Sequence, residues 1–418
     1  MSYKSIPTNC LMPGMFVADL DRPWVETPFL LQGFLLESDD EITILREYCQ
    51  HVTIDPEKSI GDAYAAAMAW QPEDRQHGAF QETKTYVTNP LTAMPDMQYQ
   101  DVHAIEEEMG DAKTAFIATE NTLIAVMERL RLGQGLNHSE LQNAVVDMSA
   151  SIVRNPDAMS WLLKVRQVSD YSYQHSLQVS IYLMTLGRHL GMPKEFLEQL
   201  GMTGLMLDVG NVRIPQDILN HKGRVTRQQF DIVKQHVQFG LDILNAADGV
   251  SNAVLDGVAD HHERMNGSGY PRQLMGERIS LFGRIAMIAD VFAALTSSRH
   301  YADPVSVFLA LRYINQMRGQ YFHEALVEQF IQAMGVFPVG SLVELVTGEV
   351  AVVVTQNRLR RLEPRILILT KSDKTHLSVP LMQDLMYQDV SDPLSKLRIK
   401  AGLPLGSFGL DPKEHFLV

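Results

Sequence analysis

Six residues of the chain have types and spacing that suit metal chemistry: His175, Asp208, His236, the adjacent pair His261-His262, and Asp290. Imidazole and carboxylate together suit first-row ions such as Fe, Mn, Zn or Ni, and one carboxylate can bridge two ions. The six therefore read as a candidate centre for one or two divalent cations. The competing reading is that they only pack and hydrogen-bond. Against it stands the desolvation cost of burying unused imidazoles and carboxylates, which a bound cation removes.

The elements that must position these residues are helical. From about Ser139 to Gly335 the text carries few strand-like alternations, with loops marked at Gly191-Met192-Pro193 and Pro215, so the middle of the chain reads as an all-α domain. Ahead of it, Asp101 to Leu132 predicts one long amphipathic helix. Val102, Ile105, Met109, Ala112, Phe116, Leu123, Met127 and Leu130 step at three and four residues, and polar Thr119 interrupts the seam. That seam would serve packing on a neighbouring helix or a homodimer equally well.

The first sixty residues read as strands and turns. A polar stretch from about Asp62 to Gln100, broken by Pro72, Pro90 and Pro95, suits a mobile linker. After Pro338, Leu342–Val346, the turn Thr347-Gly348-Glu349, Val350–Val354 and Arg365–Leu369 predict a hairpin with a third strand. The expected organisation is a β-rich module at 1–60, a linker and long helix at 61–135, the helical domain at 136–338, a small β appendage at 339–390 and a tail at 391–418. The fold class is mainly α with small β modules at both ends.

Composition narrows the partners. Thirty-six basic against fifty acidic residues give the 418-residue chain a formal charge of −14, which argues against DNA, RNA or an anionic membrane surface. A small anionic ligand needs cations concentrated locally, for which Arg213, Arg264 and Arg299 are candidates. Cys10 and Cys49 are too few for a disulfide framework or a cysteine-rich zinc module. The stretch Met1 to Pro7 has no apolar signal core, and no run approaches the roughly 18 apolar residues of a membrane helix. A soluble cytoplasmic protein is the expectation.

Several motifs carry a resemblance. His261-His262-Glu263-Arg264-Met265-Asn266-Gly267-Ser268-Gly269-Tyr270-Pro271 is followed by Arg284–Asp290 and Ala294–Arg299, and preceded by Leu207–Asn211, Ile214-Pro215, Ile218-Leu219 and Lys234-Gln235-His236. Over roughly Arg154 to Met334 this resembles the HD-GYP family, metal-dependent phosphodiesterases that open the cyclic dinucleotide c-di-GMP. Trp24–Phe29 resembles part of a domain of uncharacterised role that often precedes it. The resemblance implies an HD-type helical bundle. It also implies that His175, Asp208 and Asp290 hold one ion, that Asp208 bridges to a second, and that His236, His261 and His262 complete the coordination of that second ion. Gly267 and Gly269 would let the backbone approach a ligand, Tyr270-Pro271 would stiffen the turn, and Arg299 would pair with phosphate or guanine. A structural and a ligand-binding role for that turn are equally open.

Two departures fall at the centre. The signature His-Asp is here Leu207-Asp208, and leucine has no lone pair for a metal. The family's lysine is Asn211, so a fixed positive charge becomes a neutral amide. Asn266 and Ala293 stand where aspartates are usual, and Ala302 where a basic residue often follows. The resulting expectation is a degenerate c-di-GMP signalling protein with weak or no hydrolysis. It would keep one tightly held ion on His236, His262 and Asp208, and would bind c-di-GMP, or protein partners such as cyclases or response regulators. The alternative is an active phosphodiesterase producing linear pGpG or GMP.

Overall fold

The computed structural model describes residues 3–21, 34–36, 39–56, 59–69, 97–166, 171–219, 221, 223, 226–297, 304–357, 362–388, 397–403 and 406–411. Arg299, Ala302 and the Trp24–Phe29 stretch lie outside the described residues. The chain divides into two compact units, 1–89 and 90–418.

The first unit is an antiparallel sheet of β1 (Lys4–Pro7), β2 (Phe16–Leu20), β3 (Phe34–Leu35) and β4 (His51–Ile54), in the order β1-β4-β2-β3. Lys4 pairs with Ile54 and Ile6 with Val52, which puts Ile6 and Ile54 in the core with Val17. Helix α1 (Asp39–Tyr48) precedes β4 and contributes Ile42 and Leu45 one turn apart. Helix α2 (Gly61–Ala69) adds Ala63 and Ala67 to the same core. Its residues fall where proline and polar content suggested a linker; the small alanines pack closely enough to hold this segment as a helix.

In the second unit, α3 (Ile105–Arg131) is the long helix that the periodicity predicts. Its buried stripe packs on α4 (His138–Arg154) and α5 (Pro156–Val165) of the same chain, so the seam is used internally. Val102 precedes the helix and is exposed. Thr119 belongs to the stripe: its hydroxyl donates to the carbonyls of Ala115 (2.8 Å) and Ala144 (3.2 Å), which lets a polar residue sit between two helices.

Then follow α6 (Tyr171–His189), α7 (Lys194–Met206), a 3₁₀ turn (Val209–Arg213), α8 (Gln216–Leu219), α9 (Arg227–Val233), α10 (His236–Asn245), α11 (Asn252–Asp260), α12 (Leu281–Thr296), α13 (Val307–Gln316) and α14 (Glu324–Met334). Helices α6, α7, α11 and α12 pack together, α6 on α7 and α12, and α11 on α7 and α12. The helix starts are capped locally: Ser251 accepts from Val254 N, Ser280 from Gly283 N, and Thr226 forms a capping box with Gln229.

The unit ends in an antiparallel sheet of β5 (Leu342–Leu345), β6 (Val350–Thr355), β7 (Arg365–Thr370), β8 (His376–Asp384) and β9 (Ile399–Leu403), ordered β8-β7-β6-β5-β9. The hairpin and third strand are those expected. Strand β9 pairs with β5, Leu342 opposite Leu403, so the sheet takes in residues that read from sequence as a tail. Buried Asp157 at the start of α5 accepts from the Gln356 amide (3.0 Å), tying the end of β6 to the bundle. Among the described residues no helix is long and apolar enough to cross a membrane.

Candidate metal centre

The six residues lie in helices or at their ends. His175 and Asp290 lie within α6 and α12, His236 opens α10, and the His261-His262 pair follows the last turn of α11. Asp208 lies between α7 and the 3₁₀ turn. That turn presses on α10 so closely that a Cβ on Gly210 would lie 1.9 Å from the His236 carbonyl oxygen. Only glycine permits the contact, and the contact sets Asp208 beside His236.

The structure brings Asp208, His236, His261 and His262 together, with one ligand atom from each lying within 4.8 Å of the others. His236 Nε2 is 3.4 Å from Asp208 Oδ1 and 3.4 Å from His261 Nε2. Both rings are oriented from behind: His236 Nδ1 donates to the Val233 carbonyl and His261 Nδ1 to the Val258 carbonyl, each at 2.7 Å. A neutral imidazole that donates from Nδ1 has only a lone pair on Nε2. Facing acceptors need a proton or a cation between them. Burial, reinforced by neighbouring His236, pulls His261 down to about 4, and burial with neighbouring His261 carries His262 well below the ordinary imidazole range. Protons are thereby disfavoured where a divalent cation would be favoured, and the residues fit such an ion.

On the other side of the cluster His175 and Asp290 engage each other. His175 Nε2 lies 2.9 Å from Asp290 Oδ1, and 3.9 Å from Asp208 Oδ2. Burial alone would raise the Asp290 carboxyl, but the hydrogen bond and charge of His175 hold it well below the usual carboxylate range. Leu207, where the resemblance implies an imidazole ligand, is buried. Asn211 is in the 3₁₀ turn, its amide N donating to the Asp208 carbonyl at 2.9 Å and its buried Oδ1 without a hydrogen-bond partner.

The glycine-rich turn covers the centre. Tyr270 stacks on His262 with ring centroids 4.5 Å apart at 29°. Burial, then the charges of Asp208 and Asp290, push its phenol far above the usual value, so it stays protonated. Two carboxylates to which the sequence assigned no role hold the turn. Fully buried Glu263 accepts from the amides of Arg272 (2.7 Å) and Leu274 (3.0 Å), while Asp260 accepts from the Arg272 guanidinium and from Ser280 N. A Cβ on Gly269 would fall 2.4 Å from Glu263 Cα, so this glycine is required by the turn's own packing, whatever ligand comes near. The sequence offered one signal for these residues, acidic side chains flanking a histidine pair, but their targets are backbone amides that spacing does not reveal.

The HD domain family matches residues 159–326, and a domain of unknown function matches residues 3–141. A cyclic di-GMP phosphodiesterase of Pseudomonas aeruginosa is 32% identical over 370 residues, covering 87% of this chain and 84% of that protein. The chain belongs to the HD-GYP family. The 3'3'-cGAMP-specific phosphodiesterase 1 of Vibrio cholerae is 37% identical over 139 residues, 33% of this chain and 32% of that protein. A solved structure described as an HDG"Y"P protein from Bdellovibrio bacteriovorus covers 79% of this chain and 98% of its own, with 14% identity and a TM-score of 0.46.

Proposed function

We propose that this HD-GYP protein is a c-di-GMP receptor that holds one divalent metal ion and hydrolyses its ligand weakly or not at all. The observation that carries the reading is the asymmetry of the centre. Asp208, His236, His261 and His262 present facing acceptors that call for a cation, whereas His175 and Asp290 pair with each other and buried Leu207 stands where the resemblance implies an imidazole. A bound Fe, Mn or similar ion would attract phosphodiester oxygens and polarise the phosphorus.

The rest falls to the protein. The backbone carbonyls of Val233 and Val258 orient two of the imidazoles, Tyr270 walls the centre on the His262 side, and Asn211 offers a neutral amide where the family lysine would place charge. Binding a ground state requires fewer fixed charges than stabilising a transition state, so recognition survives losses that disable turnover. Arg299 and the Gly267–Tyr270 turn are the proposed contacts to guanine and phosphate.

The test is to incubate the full chain with c-di-GMP and Mn or Fe and to measure bound ligand and linear product separately. Binding with little product is expected, and Leu207→His with Asn211→Lys should raise turnover more than either change alone, because both act on one transition state. Wild-type turnover as fast as the double variant would overturn the reading. It would establish instead an active phosphodiesterase, the second reading, which the name and extent of the Pseudomonas relative favour.

A further inference from the structure

Helix α9 leads directly into His236, and none of its residues is buried. It nevertheless carries an aromatic residue, Phe230, which is 43% exposed and lies edge-on to Tyr270 with ring centroids 6.0 Å apart. Lys234, one turn on, holds its Nζ 4.9 Å from the Phe230 ring centroid and 5.9 Å from that of Tyr270. Because Tyr270 in turn stacks on His262, the three side chains form a continuous wall running outward from the candidate metal centre.

The cations near this centre differ in what engages them. Arg264 Nη1 donates to the carbonyls of His261 and Glu263, Arg272 is bound to buried Asp260, and Arg213 lies 3.7 Å from Asp242. Lys234 pairs at 2.7 Å with Asp231, whose side chain is 57% exposed, so water screens that pair and a phosphate can replace it. A part-exposed ring with an ammonium group over one face suits a purine nucleotide: the opposite π-face takes the base and the cation takes the phosphate. In a chain of charge −14 with a neutral amide at Asn211, a cation in this position supplies local positive potential for an anionic ligand.

We propose that Phe230 and Lys234 are specificity-determining residues that bind the base and a phosphate of a guanine nucleotide against Tyr270, with Lys234 standing in for the charge missing at Asn211. The proposal rests on the c-di-GMP reading above for the identity of the ligand, but the wall itself requires only a purine nucleotide.

Calorimetric titration of the metal-loaded full chain with c-di-GMP, linear pGpG and GMP tests it, in the wild type and in Phe230→Ala, Lys234→Ala and Lys234→Arg. Metal content is measured for each protein. Phe230→Ala and Lys234→Ala should each weaken binding by about tenfold with metal retained, and Lys234→Arg should restore it. Lys234→Ala should also flatten the salt dependence. Wild-type affinity for c-di-GMP in both alanine variants, or metal lost together with nucleotide, overturns the wall and leaves the receptor reading standing. Binding of pGpG or GMP alone, lost in both alanine variants, keeps the wall and overturns the cyclic-dinucleotide reading. No binding of any of the three to the wild type overturns both.

Discussion

His236 and His175 sit on the same cluster but are stabilised differently, and the difference is measurable. His236 and His261 face each other with lone pairs, so removing either takes a ligand from the only group of this kind among the described residues. His175 has Asp290 for a partner at 2.9 Å, whether or not a cation is near. His261→Ala should therefore lower transition-metal content to less than about a tenth of an equivalent, since losing even an outer partner costs about 10–100-fold in affinity. His175→Ala should retain about one equivalent. Elemental analysis of protein purified without chelator reads both, and equal loss in the two variants would show a centre shared by two ions.

Among the elements, the 3₁₀ turn at Val209–Arg213 and the start of α10 act as one piece because no side chain separates them. Gly210→Ala places a Cβ 1.9 Å from the His236 carbonyl oxygen and should cost about 3 kcal/mol, in the overpacking range, together with the metal. Gly110→Ala in α3 is the control: nothing lies within 4 Å of its Cβ position, and the change should stabilise by about 0.5–1 kcal/mol. Urea unfolding of the two variants compares them. A second device joins α3 to α4. Fully buried Glu108 accepts from Arg154 Nε and Nη2, both at 2.7 Å, and lies 2.9 Å from His103 Nδ1. Burial alone would raise its carboxyl, but the hydrogen bonds from Arg154 and His103 outweigh it and bring the group below its ordinary 4.5. A depressed folded value means that the contribution is present above about pH 4.5 and is lost as pH falls through the folded value. Glu108→Gln should cost about 3 kcal/mol at pH 7, at the low end for a broken buried pair because Arg154 keeps some solvent. Its deficit should shrink when the same urea titration is run near pH 3.

For the whole molecule, the proposed ion site draws Asp208, His236, His261 and His262 from the start of the 3₁₀ turn, α10 and the end of α11, so an ion held there ties these three segments together. A ligand that binds only the folded state adds about 2.7 kcal/mol at a hundred times its dissociation constant. Dialysis against chelator should lower the melting midpoint of the 90–418 unit by about 5 °C, and restored metal should return it. The 1–89 unit has its own core of Ile6, Val17, Ile42, Leu45 and Ile54, and its transition should not move. Calorimetry of the full chain with and without chelator separates the two.

The helical middle, the long α3 and the first three strands of the C-terminal sheet were legible because each rests on local periodicity, which follows from backbone geometry alone. The six ionisable residues were legible as a set by chemical type, and the family motifs tied them to a centre. What pairs with what was not legible. That Leu342 meets Leu403 to bring β9 into the sheet, that Thr119 belongs inside the α3 seam, and that Ala63 and Ala67 join a core all depend on contacts between segments distant in sequence. The division of the centre into a set of facing lone pairs and a hydrogen-bonded His175–Asp290 pair depends on which nitrogen reaches which carbonyl or carboxylate. It is set by the Gly210 contact and the turns at Val233 and Val258, which only the packed chain brings into place.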